Sequence, residues 1–325
     1  MTDFHPELTL ARFIPRLKSR TWSTKLQQRI KLRGAKAPDD VSIETVTITG
    51  PGGPIRLKVF RPRSAAAATT PQIPAIPPTT IPTTSPALFW LHGGGYIGGS
   101  PEQDDGRNIE FARRLGMVVV AGTYRLSPGA RHPAAVEDAY AGLLWVFEHA
   151  DGLGVDTARI AIGGASAGAG LAAGLALYAH DKGEVTPVFQ LLVYPMLDDR
   201  TVLRPDIDST NMRAWIPQNN RFGWTAYLGQ EPGSPGIPDY AAPARRVDLS
   251  GLPPAWIGVG TNDLFHDEDA VYAHRLVEAG VPCEFVEVPG AFHGFDILFS
   301  KTEVARGFTE LQLVALGAAV GSPVR

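Results

Sequence analysis

The chain has 325 residues, of which 44% are hydrophobic and 19% charged, with a formal net charge of −3. That length supplies a sizeable core for one large α/β domain with an appendage, and the near-neutral balance gives no global field that would draw in nucleic acid. One cysteine, Cys283, excludes an internal disulfide and a cysteine-rich metal site. It lies in the apolar run Val281–Val286 and reads as a buried strand thiol rather than a nucleophile. No apolar run reaches the roughly 18 residues of a membrane-spanning helix, and Met1–Arg20 has scattered charges and no signal-like apolar core, so a cytoplasmic protein without integral membrane association is expected.

In chain order, the N-terminal stretch is basic from Arg12 to Lys36. Leu8, Leu10, Phe13, Ile14 and Leu17 fall at roughly helical spacing. This predicts a helix packed on the main domain with a solvated basic face, the alternative being a mobile lid or a contact with an anionic lipid surface. Alternating runs at Ile43–Thr49 and Ile55–Arg61, joined by a Gly- and Pro-rich turn, predict a hairpin. Ser64–Pro86 consists almost wholly of Ala, Pro, Thr, Ser and Ile and reads as a disordered loop between strands of one sheet.

From there strands and helices alternate. Apolar runs at Ala87–Leu91, Met117–Gly122, Ile160–Gly163, Phe189–Tyr194, Trp256–Gly260 and Cys283–Val288 are separated by helical patterns at Asp105–Leu115, Ala134–His149, Ala167–His180 and Glu268–Ala279. A last helix is expected over Thr302–Ala315. Such alternation predicts an α/β fold, a mostly parallel sheet with helices on both faces and the hairpin as an antiparallel edge. Asp198–Asp239 breaks the rhythm and is expected to cross the C-terminal edge of the sheet, where the active sites of such sheets lie.

Ser166 stands in Gly164-Ala165-Ser166-Ala167-Gly168, between a short buried strand and a helix. A tight strand-to-helix turn needs small residues on either side, and it exposes a serine hydroxyl at the sheet edge. His92-Gly93-Gly94-Gly95 follows the strand ending at Leu91. Its bare backbone can offer the N–H groups of Gly94 and Gly95, joined by that of Ala167, to a developing oxyanion. A phosphate cradle would end in Gly-Lys-Ser/Thr, which is missing here. His92 reads as a scaffold for this loop. A base for Ser166 is sought among 8 histidines. His293 follows the final strand and is preferred, with His266 as the competitor. Asp263, first after its strand, is preferred over Asp267 as the carboxylate orienting the base. Asp267, Glu268 and Asp269 read as helix-start acids. The order Ser166, Asp263, His293 is that of the α/β-hydrolases.

The sequence resembles the hormone-sensitive-lipase-like bacterial esterases of the α/β-hydrolase fold. The resemblance rests on His92–Gly95, Gly164–Gly168, Asp263–Glu268 and His293–Phe295, supported by Tyr124–Pro128, His132–Asp138 and Tyr194-Pro195, and runs from about residue 43 to 320. Ala165, Thr123, Gly129 and Leu264 depart from the family pattern without touching a proposed proton-transfer residue. The resemblance implies a hydrolase core over 43–197 and 240–325, and a helical cap from residues 1–42 and 198–239. It also implies hydrolysis of short- to medium-chain acyl esters through a serine triad and an acyl-enzyme, no cofactor or metal, and a homodimer through edge strands in some relatives. Tyr96, Leu197, Trp215, Phe222, Trp224 and Phe295 are either pocket-lining residues or ordinary packing. An amidase or deacetylase using the same triad, a receptor built on a dead hydrolase, and a true lipase are the rival readings. His293 speaks against the receptor, since the related plant gibberellin receptors lack that base.

Overall fold

In the computed structural model, residues 3–16, 18, 28, 33–63 and 84–325 are described. Most of the Ser64–Pro86 segment therefore lies outside the described residues, as do Leu17 and most of 19–32. The expected loop ends earlier than read, because Ser85 and Pro86 already belong to a strand.

The paired alternating runs form the antiparallel hairpin of β1 (Val41–Gly50) and β2 (Gly53–Pro62). The apolar runs that follow become β3 (Ser85–Leu91), β4 (Val118–Gly122), β5 (Val155–Ala165), β6 (Gln190–Val193), β7 (Ala255–Gly260) and β8 (Cys283–Val288). They join in one sheet of order β1-β2-β4-β3-β5-β6-β7-β8. β2 pairs antiparallel with β4, and every later pairing is parallel. The connections contain α1 (Asp105–Leu115), α2 (Ala134–Glu148), the short α3 (Ala150–Leu153), α4 (Ala167–Lys182), α5 (Pro217–Leu228) and α6 (His266–Glu278). After β8 come the single turn α7 (Phe295–Leu298) and α8 (Glu303–Ala319).

Successive strand residues point to opposite faces, so a strand buried on both sides must be apolar throughout. Phe89, Val120, Ile162, Leu192 and Ile257 pack on one face with residues of α2, α4 and α6. Their neighbours Trp90, Val119, Ala161, Leu191 and Trp256 pack on the other with α1 and α8. Parallel strands run the same way. The turns after β3, β5, β6, β7 and β8 therefore gather at one edge of the sheet, and this collects His92, Ser166, Tyr194, Asp263 and His293 from distant points of the sequence.

Two expectations are corrected. The N-terminal helix is a 3-10 helix over Pro6–Phe13, which repeats every three residues. It buries Leu8 and Ala11 and leaves Leu10 and Phe13 66% and 77% exposed. Cys283 is only half-buried, because β8 is an edge strand, and burial still pushes its thiol up to about 12. Residues 198–239, read as a segment crossing the C-terminal edge of the sheet, contain a 3-10 helix over Asp199–Leu203 and α5.

Candidate active site

Ser166 links β5 directly to α4, with φ 58° and ψ −125°. A side chain held in such a sparsely populated region costs on the order of 1–3 kcal/mol, so the surroundings must over-determine it. Its N–H donates to the Val193 carbonyl at 2.9 Å, and its own carbonyl accepts from Gly170 and Met196 at 3.0 and 3.2 Å. Two residues on, a Cβ added at Gly168 would overlap the carbonyl oxygens of Leu91 and His92. Only glycine lets the turn press against the end of β3, and that contact places the glycine loop beside the serine. Ser166→Gly is expected to raise unfolding stability by about 1 kcal/mol in denaturant titration while removing the hydroxyl. A loss of stability would show that the turn is not strained.

The loop after β3 turns sharply at Gly95, whose φ is +61°, and the Trp215 ring lies where a Cβ would stand. Trp215 is fixed in turn by its indole N–H, which donates to Asn220 Oδ1 at 3.2 Å. Among the described residues no acceptor takes the Gly94 or Gly95 N–H. His92 plays the expected scaffolding part. Its Nδ1 lies 2.8 Å from the Gly93 carbonyl, its ring stacks on Tyr124 at 4.4 Å, and the Tyr124 hydroxyl donates to its carbonyl at 2.7 Å.

Burial lowers His92 from 6.5 to about 4, so the folded chain keeps it neutral while the unfolded chain takes up the proton first. The unfolded state then binds more protons between those values. The stability this site contributes is complete above 6.5 and is lost as pH falls towards 4. Between pH 7 and 4.5, His92→Gln is expected to lose roughly 2–3 kcal/mol less than the wild-type chain in urea unfolding. Equal losses would contradict this.

The loops after β7 and β8 are tied together. Thr261 N–H donates to the Val288 carbonyl, Asn262 N–H to the Ala291 carbonyl, and Gly290 N–H to Thr261 Oγ1, at 3.1, 2.9 and 2.9 Å. Asp263 Oδ1 accepts from the Phe265 N–H at 3.0 Å. Its Oδ2 stands 2.7 Å from His293 Nδ1, and His293 Nε2 stands 2.8 Å from Ser166 Oγ. A carboxylate can only accept, so Nδ1 carries the hydrogen and Nε2 presents its lone pair to the hydroxyl. An imidazole in that tautomer can take the hydroxyl's proton. All three residues are buried, the Asp263 side chain completely and that of His293 to all but 9%. His266 is not in this cluster; its two nitrogens face Asp267 and Glu287 at 2.8 and 2.6 Å, on an exposed surface.

Of the six aromatic and aliphatic pocket candidates, Trp215 and Phe222 keep exposed surface. Tyr96, Leu197, Trp224 and Phe295 are 0–1% exposed and act as packing. Tyr96 stacks on Tyr227 at 3.9 Å, and Phe295 packs on Phe308 in the core on the far face of the sheet.

Asp267, Glu268 and Asp269 stand in the first turn of α6, as read, and Glu268 and Asp269 are in addition buried. Glu268 is buried and accepts from the Leu197 and Asp198 N–H groups at 2.7 and 3.1 Å and from the Thr201 hydroxyl. Burial pushes both carboxyls well up. Nothing in their spacing separates a buried acid from an exposed one. Tyr194, whose ring packs against His293, was visible only as part of a family motif.

A parallel sheet of this order, with a serine on the β5–α4 turn and its imidazole and carboxylate partners after β8 and β7, defines an α/β-hydrolase. The chain matches the model of a family described as alpha/beta hydrolase fold over residues 88–297. It is 32% identical to esterase LipI of Mycobacterium tuberculosis, over 86% of this chain and 84% of that one. It is 32% identical to an ethyl acetate hydrolase of Pseudomonas putida, over 67% and 69%. Among solved structures, a bacterial heroin esterase matches with a TM-score of 0.81 at 33% identity, covering 98% of both chains. The chain belongs to the hormone-sensitive-lipase-like esterases of the α/β-hydrolase fold, and it is a carboxylesterase-type hydrolase. No helix among the described residues is long and apolar enough to cross a membrane.

Proposed function

We propose that the chain hydrolyses short- to medium-chain acyl esters through Ser166, His293 and Asp263. The observation that carries this is the single imidazole lying between hydroxyl and carboxylate at 2.8 and 2.7 Å. Ser166 Oγ attacks the ester carbonyl carbon while His293 Nε2 takes its proton. Asp263 holds Nδ1–H and stabilises the imidazolium that forms. The N–H groups of Gly94, Gly95 and Ala167 donate to the tetrahedral oxyanion, helped by the positive end of α4. The protonated His293 gives its proton to the departing alcohol, leaving acyl-Ser166. Water, deprotonated by the same nitrogen, then releases the acid and restores the serine.

Residues 198–239, together with residues 3–16 of the N-terminal segment, cap the site, with Trp215 and Phe222 as its walls. The contact of Trp215 with Gly95 supports this placement. The names of the relatives, an ethyl acetate hydrolase among them, support a small acyl group. Hydrolysis of p-nitrophenyl acetate, butyrate, octanoate and palmitate, beside matched anilides, tests the reading. The expected result is the highest kcat/KM on the short esters, and on esters over anilides. A maximum at palmitate, or faster turnover of the anilides, would overturn it.

A further inference from the structure

The His293 ring is flanked by two aromatic rings, Phe265 at 5.2 Å and Tyr194 at 4.8 Å, the latter inclined at 63°. Phe265 belongs to the acid loop. Tyr194 is held by a separate buried cluster that the triad does not use. Its hydroxyl donates to Asp296 Oδ1 at 2.9 Å, and the Arg107 guanidinium pairs with Asp296 Oδ2. Arg107 lies over the Trp90 ring at 5.4 Å, and the Trp90 indole N–H donates to Asp104 Oδ2 at 3.0 Å. Asp296 sits three residues beyond His293, on α7. Arg107 comes from α1, the helix that follows the glycine loop. Tyr194 is the first residue after β6 and is held at φ 38°, a region that favours glycine.

Burying an ion pair costs several kcal/mol of lost hydration for each charge, and an apolar filling is often as stable, so stability alone does not account for the cluster. Its location does. It joins the element after the oxyanion-side loop to the element after the histidine, through a ring that touches the imidazole. We propose that Tyr194, Asp296 and Arg107 form a buried positioning chain that fixes the His293 imidazole, and that Arg107 neutralises Asp296 so that this second carboxylate does not strengthen the imidazole's hold on its proton. The proposal rests on the reading of His293 as the base.

The charged groups around His293 are Asp263 from the β7 side, with Glu268 and Asp269 behind it on α6, Asp296 on α7, Arg107 on α1, and Asp104 immediately before α1. Burial raises Glu268 and Asp269 well above the usual carboxylate range and Asp104 to about 6. Asp263 touches the imidazole directly, and Asp296 reaches it through the Tyr194 ring.

The test is steady-state kinetics on p-nitrophenyl butyrate across pH for Tyr194→Phe and Asp296→Asn. Tyr194→Phe keeps the ring and loses the hydroxyl; kcat is expected to fall about tenfold with KM unchanged within about twofold. In Asp296→Asn the Arg107 charge is left unneutralised and disfavours imidazolium. The acid limb of kcat/KM is then expected to move to lower pH by about one unit. Arg107→Lys, which keeps the charge, is expected to stay closer to the wild-type profile than Arg107→Met. If Asp296→Asn does not fold, Tyr194→Phe and the Arg107 pair carry the test. Variants that fold and leave both kcat and the acid limb in place overturn the positioning chain, as does a fall in kcat matched by a rise in KM. A wild-type enzyme whose kcat/KM shows no acid limb would overturn the base reading itself, a distinct outcome.

Discussion

Ser166→Ala is expected to lower kcat on p-nitrophenyl esters by about 10⁴–10⁶-fold, because nucleophile and base act as a unit and neither accelerates acyl transfer without the other. Only the Oγ that faces His293 Nε2 at 2.8 Å is removed. The backbone bonds that hold the turn, from Ser166 N–H to the Val193 carbonyl and from Gly170 and Met196 N–H to the Ser166 carbonyl, remain. Substrate affinity and thermal midpoint should therefore stay close to wild-type. The residual rate reports what the N–H donors and ester binding achieve alone. A variant within about tenfold of wild-type kcat would remove Ser166 from the reaction.

Gly95→Ala is the second large effect, and it acts through the donors rather than the nucleophile. A methyl group there must displace the Trp215 ring, and Trp215 is itself fixed to Asn220 at 3.2 Å. The φ of +61° adds strain for any residue with a Cβ. The loop is expected to shift by a few tenths of an ångström or more, which spoils the aim of the Gly95 N–H. Losing one such donor lowers kcat by about 10²–10³-fold. Because the displaced atoms belong to Trp215, the double variant Gly95→Ala/Trp215→Ala is expected to recover part of that loss. An equal or deeper loss in the double variant would mean that the strain lies in the backbone and not in the contact with Trp215. Activity close to wild-type in Gly95→Ala would place the donors elsewhere.

The site was legible in the sequence where local chemistry leaves a short-range mark. Gly164–Gly168 and His92–Gly95 announce themselves because tight turns and bare amides demand glycine. Asp263 could be picked over Asp267 because it comes first after its strand; His293 and His266 both follow a strand, and the contacts with Ser166, Asp267 and Glu287 tell them apart. The strands were legible as apolar runs, although β5 begins at Val155, five residues before the run at Ile160, because Asp156–Arg159 bulge out of the pairing with β3 and are not buried. Helix α5 was not legible. Asn219, Asn220 and Gly223 are poor helix formers, and tertiary burial rather than propensity fixes it. The N-terminal stripe misled because Leu8 and Ala11 repeat every third residue, while Leu10 and Phe13 joined the pattern only if a 3.6-residue period was assumed. The burial of Glu268 and Asp269, and the cluster of Arg107 and Asp296, left no local trace. Whether an acid is solvated or buried beneath another segment depends on contacts tens to hundreds of residues apart, such as Arg107 with Asp296.

The most direct measurement is fluorophosphonate labelling followed by peptide mass spectrometry, on the wild-type chain and on His293→Ala. The wild-type chain should carry one adduct, on Ser166. His293→Ala should label at least about 10³-fold more slowly. An adduct on a different residue, or undiminished labelling of Ser166 without His293, would contradict the account.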